Sequence, residues 1–184
     1  MKNKITIRDI AYIGMFVALI TVCSWISLPF AVPFTLQTFA IFAAVIILGG
    51  LRSTIAVLVY LLLGAVGVPV FAGFKGGIAG LLGTTGGYLI GFLFTTIIAG
   101  VLMHFLGKKL WVEILGLVLG LLVCYAFGTG WFIYVYTDTK GAIDLMTALK
   151  WCVIPFLIPD AVKMALALLI GRRISPLLKL EKAI

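Results

Sequence analysis

The chain has 184 residues, of which 64% are hydrophobic and only 11% charged, with a formal net charge of +8. Roughly a quarter of a typical soluble domain is charged, so a soluble globule is excluded: it would lack the polar side chains to cover its apolar surface. The basic residues punctuate apolar stretches instead of gathering in a patch, which assigns them to membrane topology rather than to nucleic acid.

The N-terminus opens with Lys2, Lys4 and Arg8 before a long apolar run. The run is too long for a secretory signal and has no clean A-x-A site after it, so it reads as a first transmembrane helix. Six spans are expected, at 10–28, 37–50, 54–68, 86–106, 110–135 and 151–171. The fold class is therefore an all-α integral membrane protein, one six-helix domain over residues 1–184. Spans two and three are short, and a re-entrant hairpin of the two is the alternative. With the N-terminus inside, the inner face receives Lys2, Lys4, Arg8, Arg52, Lys108, Lys109, Arg172, Arg173, Lys179 and Lys182, ten of the fourteen basic residues. The outer face receives Lys75, Lys140 and Lys150, which leaves Lys163 within a span. That asymmetry predicts both termini in the cytoplasm.

Span one carries Gly14 and Ala18 four apart, with Ala11 one turn earlier. Small residues on one face favour close packing with another membrane helix, inside the bundle or in a partner. Two of the predicted outer loops, 28–36 and 69–85, are apolar and hold Pro29 and Pro33 in the first. Such loops suit a lid folded over the bundle, or buried packing segments. Thr35, Gln37 and Thr38 open span two, while Thr85, Gly86 and Tyr88 open span four. They are boundary polarity, or they ring an outward cavity with donors and acceptors. Trp25, Phe34, Phe71, Phe74 and Trp151 would wall it, and few polar groups on an apolar wall is the make-up of a small-molecule site.

Glycines crowd the segment from Gly64 to Gly91, Gly73 among them. A phosphate-binding loop is excluded, because no GK[ST] follows and no strand precedes. Close approach of backbone to another helix or to a ligand is the physical use of these glycines, and Gly83, Gly87 and Gly91 form a small-residue stripe. Gly116 and Gly120 repeat the pattern in span five.

Asp160 and Lys163 both fall inside span six, in the run Ile158-Pro-Asp-Ala-Val-Lys163. Three residues apart, they share a helix face. Ionisable side chains at membrane depth are functional candidates by default, with a self-satisfied packing pair as the alternative. Nine residues beyond Trp151, Asp160 would lie roughly 13 Å from the outer boundary. Pro155 and Pro159 interrupt the helix ladder beside it. The cysteines Cys23, Cys124 and Cys152 have no metal or disulfide spacing and read as packing residues. His104 reads as a boundary residue. No Ser-His-Asp set, HExxH or Walker motif is present, so enzymatic function and ATP hydrolysis by this chain are not expected.

Four stretches, Val32-Pro-Phe-Thr-Leu-Gln-Thr-Phe39, Tyr60 to Phe74, Thr85-Gly-Gly-Tyr-Leu-Ile-Gly-Phe92 and Ile158 to Lys163, resemble the BioY family, the biotin-binding S components of energy-coupling-factor transporters. The resemblance covers nearly the whole chain. It implies a multi-pass plasma-membrane subunit that captures biotin from outside. It also implies partners, a transmembrane coupling protein and two cytoplasmic ATPases that hydrolyse ATP, and no cofactor of its own. The substrate-binding residues it points to are Asp160, Lys163, Thr35, Gln37, Phe34, Phe74, Gly73, Thr85, Gly86 and Tyr88. Such subunits carry small residues four apart in helix one for the coupling protein. Here Ala11 is followed at that spacing by Met15, whereas Gly14 and Ala18 keep the spacing, shifted. The ureido head of biotin has two N–H donors for a carboxylate such as Asp160 and a carbonyl for an ammonium such as Lys163; the reversed pose sets Lys163 against the tail carboxylate. A proton-coupled transporter acting alone is the second reading of the same pair.

Overall fold

The computed structural model describes residues 6–28 and 30–178; Lys2, Lys4, Pro29, Lys179 and Lys182 lie outside the described residues. The helices are α1 (Ile7–Trp25), α2 (Gln37–Leu48), α3 (Gly50–Ala65), the short α4 (Ile78–Leu82), α5 (Gly86–Leu106), α6 (Leu110–Lys140), α7 (Leu145–Cys152) and α8 (Ile154–Ile174), followed by a 3-10 turn, Ser175–Leu178. Two two-residue strands, β1 (Ser27–Leu28) and β2 (Phe34–Thr35), pair antiparallel. Four segments are long and apolar enough to cross a membrane: Ile7–Trp25, Gly86–Leu106, Leu110–Lys140 and Leu145–Leu178. The helices α2 and α3 are apolar but shorter.

The sequence explains these elements locally. Thr6 caps α1 in a reciprocal capping box with Asp9, and Asp144 caps α7 by accepting from the Thr147 N–H. Hydrogen bonds from the Thr147 hydroxyl and then from that N–H hold the Asp144 carboxyl below its usual range. The chain turns from α2 into α3 through one residue, Gly49, at φ +82°, a left-handed value that glycine adopts without a Cβ penalty. Every residue of α2 from Ala40 to Leu48 is buried. A helix that is apolar all round belongs inside a bundle, and α2 is surrounded by α1, α3, α5 and α8.

Helices α5 and α6 form the broadest contact. Gly91 faces Cys124, Gly116 faces Ala99, Gly120 faces Thr95 and Gly128 faces the Tyr88 ring, so the two backbones approach closely along their length. Gly83 departs from the expected stripe. It ends α4, outside α5, and its carbonyl accepts from Trp131 Nε1 at 2.9 Å. A second close crossing sets Gly50 of α3 against Gly100 of α5.

The expected sixth span lies within the membrane-length segment Leu145–Leu178 and is broken near its start. Trp151 belongs to α7, and the chain breaks at Val153 before α8 starts at Ile154 with Pro155 in its first turn. Asp160 therefore lies only about 9 Å along α8 from its start. The expected third outer loop is also largely helical, since α6 runs on to Lys140 and α7 follows.

At the end of the bundle opposite the β-hairpin, several charges are paired or tied to backbone. Arg52 is not on a loop but in the first turn of α3, where its Nε meets Asp9 Oδ1 at 2.8 Å, both groups buried. Arg172 Nη1 meets buried Glu113 Oε2 at 2.8 Å, tying α8 to α6. Lys108, exposed between α5 and α6, donates to the Ile46 carbonyl at 3.2 Å, and partial desolvation lowers its ammonium pKa.

The glycine crossings make a stability prediction. A Cβ built on Gly100 would stand 2.6 Å from Gly50 Cα, whereas one on Gly14 meets nothing within 4 Å. Gly100→Ala is expected to lose about 1–3 kcal/mol by overpacking, and Gly14→Ala to lose none. Thermal unfolding of the purified variants in one detergent, followed by tryptophan fluorescence, compares them directly.

Candidate functional site

The site lies at the hairpin end. Residues 66–85 are pinned there by one peptide segment. The Val70 carbonyl accepts from Ser24 Oγ and from Tyr60 OH, and the neighbouring Pro69 carbonyl accepts from Trp25 Nε1 at 2.9 Å. Phe71 bridges back to Lys75 through two backbone hydrogen bonds, and its ring packs over Gly64 and Gly80. A side chain at Gly64 would displace that ring.

Between this segment, the hairpin and α5 lies a cavity of about 490 Å³. Val32, Pro33 and Thr35 of the hairpin, Gln37 of α2, Phe71, Lys75 and Gly80 of the 66–85 segment, and Thr85, Tyr88 and Phe92 at the start of α5 contribute to its wall. A smaller cavity of about 50 Å³ shares Val32, Pro33, Thr35, Tyr88 and Phe92 with it. This second cavity reaches Tyr125, Cys124, Cys152, Phe156, Asp160 and Lys163. The two spaces adjoin, with the ion pair at the deep end.

That pair is fully engaged. Asp160 and Lys163 are 1% and 5% exposed. Lys163 Nζ donates to Asp160 Oδ1 at 2.9 Å, to the Thr35 carbonyl at 2.7 Å and to Thr38 Oγ1 at 3.1 Å, which uses its three protons. Asp160 Oδ1 also accepts from Thr38 Oγ1 at 2.8 Å, and Oδ2 accepts from Tyr125 OH at 2.7 Å. The Phe34 ring lies 4.2 Å from Lys163 Nζ, a cation–π contact, and tilts against Phe156. A carboxylate offers about four lone-pair sites, so Asp160, with three donors, keeps capacity for one more N–H.

Gln37 is the opposite case. Its side chain is 3% exposed, it lines the larger cavity, and its Nε2 has no hydrogen-bond partner among the described residues. A buried amide without partners costs roughly 1–3 kcal/mol, which a ligand acceptor in the cavity would recover.

The structure brings Thr35, Gln37, Thr85, Tyr88, Asp160 and Lys163 to the two cavities. Phe34 sits behind Lys163, and Gly86 is buried at the start of α5, where a Cβ would strike the Leu81 backbone. Gly73 and Phe74 line neither cavity: they form the tip of the Phe71–Lys75 turn, and Phe74 stacks on Trp25 at 4.9 Å. Trp25 and Trp151 also lie off the cavity walls, Trp151 against Tyr136. Tyr125 and Cys152 were not expected. A tyrosine in mid-span is the only signal that Tyr125 gives, and its partner is 35 positions away. Ala11, Gly14, Met15 and Ala18 are all exposed along one side of α1, facing away from the bundle.

The buried pair predicts its own energetics. Lys163→Met strands a buried carboxylate and is expected to cost about 3–5 kcal/mol, while Asp160→Leu combined with Lys163→Met recovers most of that loss. Melting temperatures of the single and double variants in detergent test it.

Residues 1–180 match the BioY family. A protein of Thermotoga maritima named "Biotin transporter BioY" is 40% identical over 171 residues, covering 92% of this chain and 97% of the relative. One of Pyrococcus horikoshii, a "Probable biotin transporter BioY", is 40% identical over 169 residues, covering 91% and 96%. Among solved structures, the crystal structure of the S-component for biotin from an ECF-type ABC transporter aligns with a TM-score of 0.82 at 29% identity, covering 96% of this chain and 95% of that one. These relatives are named as transporter components, not as enzymes. Four membrane-length apolar helices and a match over nearly all of the chain, in sequence and in fold, agree: this membrane protein belongs to the BioY family.

Proposed function

We propose that this chain is the substrate-binding membrane subunit that captures biotin from outside the cell for uptake driven by ATP hydrolysis in a separate energising module. The observation that carries the reading is the joined pair of cavities, roomy and apolar above, with a buried ion pair at its floor and the unpartnered Gln37 amide on its wall. About 490 Å³ falls in the range of small-molecule sites, whereas the smaller cavity has space for little more than one edge of a ring.

In this reading the ureido edge of biotin enters the smaller cavity and donates an N–H to the free capacity of Asp160. Lys163 holds that carboxylate charged and oriented, and Thr38 and Tyr125 fix its rotamer. The bicyclic ring and aliphatic tail occupy the larger cavity among Val32, Phe71, Tyr88 and Phe92, with Thr35, Gln37 and Thr85 as polar contacts. Phe34 and Gly86 shape the walls, and Gly73 and Phe74 belong to the loop that covers them.

The same reading takes the molecule as a multi-pass protein of the plasma membrane with six spans, α2 and α3 being the short ones, and both termini cytoplasmic. The ten-to-three division of basic residues between the two faces supports it. The partners are a transmembrane coupling protein and two cytoplasmic ATPases. The exposed row Ala11, Gly14, Met15 and Ala18 on α1 is the face offered to the coupling protein, since small residues let another helix approach closely.

Two experiments test this function. Asp160→Asn is expected to weaken biotin binding by at least about tenfold, or 1.4 kcal/mol, in titration calorimetry of the detergent-purified chain; unchanged affinity would sink the site assignment. Gly14→Trp is expected to leave biotin affinity intact while abolishing co-purification with a coexpressed coupling protein. Undiminished co-purification would remove α1 from the interface.

A further inference from the structure

The charges around the two cavities do not cancel. Three side chains that carry a formal charge contribute to the walls: Asp160 and Lys163 in the smaller cavity, and Lys75 in the larger. Asp160 and Lys163 neutralise each other at 2.9 Å. Lys75 has no such counterpart. Among the described residues its ammonium makes no ion pair and no side-chain hydrogen bond, and no carboxylate lines the cavity that it borders. The joined space therefore carries one uncompensated positive charge, held at its outer, exposed end.

The backbone fixes that charge in place. Phe71 N–H donates to the Lys75 carbonyl at 2.9 Å, and Lys75 N–H donates to the Phe71 carbonyl at 3.3 Å. The turn between them needs Gly73 at φ +71° and Phe74 at φ +58°, and the Phe74 ring is stacked on Trp25. Phe71 itself is buried against Gly64 and Gly80. Lys75 thus stands on a braced turn at the cavity mouth, although its own side chain is exposed.

We propose that Lys75 selects for a monoanionic ligand by pairing its ammonium with a carboxylate at the outer end of that ligand, so that charge is read at the mouth and hydrogen-bond pattern at the floor. This rests on the reading of the cavity as a biotin site and deepens it: the terminal carboxylate of the tail is recognised by Lys75, not by Lys163, whose three protons are already committed. It sets the pose with the ureido head inward. An ammonium–carboxylate contact is a charge-assisted hydrogen bond, and at an exposed rim it weakens with added salt.

The test uses the full chain in detergent with biotin and its neutral methyl ester as the two probes, for the wild type, Lys75→Gln and Lys75→Arg. The wild type is expected to bind biotin about tenfold tighter than the ester. Lys75→Gln is expected to lose that preference by weakening biotin alone, with ester affinity unchanged, and Lys75→Arg to keep it. The preference is also expected to shrink between low and high salt in the wild type but not in Lys75→Gln. Biotin binding with the same biotin-to-ester ratio in the wild type and Lys75→Gln overturns the role of Lys75 alone, as does a wild type that does not distinguish the two probes. A wild type that binds neither probe overturns the biotin reading, and this proposal with it.

Discussion

Taking a carboxylate and an ammonium out of water costs several kcal/mol per ion even after relaxation, and the surroundings of Asp160 and Lys163 are arranged around that cost. Thr38 serves both ions at once, donating to one and accepting from the other. Tyr125 reaches across from α6 and the Thr35 carbonyl from β2, so two segments distant in sequence, 35–38 and the middle of α6, converge on two side chains of α8. The Thr35 carbonyl is available because Thr35 sits in the short hairpin before α2 instead of continuing a helix. The same hairpin supplies Val32 and Pro33 to the cavity walls. Satisfying the charges and building the site are thus one arrangement.

What the sequence discloses follows from how rare a signal is. An acid and a base in an apolar span stand out against their background, so Asp160 and Lys163 were legible from spacing alone. Thr35, Gln37, Thr85 and Tyr88 were legible as polar residues at the mouths of apolar runs. Tyr125 was not, because a tyrosine in a membrane helix is ordinary until the residue opposite it is known. The charge count assigns Arg52 to the inner face, and only packing reveals that it is enclosed there with Asp9. Helix boundaries set by glycine and by loop lysines, as at Gly86 and Leu110, agree with the expectation. The start of α8 does not, since Pro155 permits a helix to begin one residue earlier but gives no sign that α7 precedes it.

The two sides of the cavity differ in how they are built. Its inner wall rests on α5 and α6, where glycines on both helices let the backbones touch and leave little freedom to slide. Its outer wall is the hairpin and the 66–85 segment, held by a few hydrogen bonds to Ser24, Trp25 and Tyr60 and by one buried ring, Phe71. Regions with few such contacts open at low free energy. Access to the interior therefore belongs to the loop side, while the ion pair at the floor is carried by α8, which packs on α2 and is tied to α6 through Tyr125.

The enclosure of α2 reaches beyond the finished structure to its assembly. A helix of 12 residues extends about 18 Å, well short of the roughly 30 Å of a bilayer's hydrocarbon core. During synthesis it has no partner on its far side, for α5 and α8 are made later. A one-residue link at Gly49 ties it to α3, and of the other helices packed against it α1 precedes it in the chain whereas α5 and α8 follow. The most enclosed element is thus made early, and residues that pack on it, Lys163 among them, are made last.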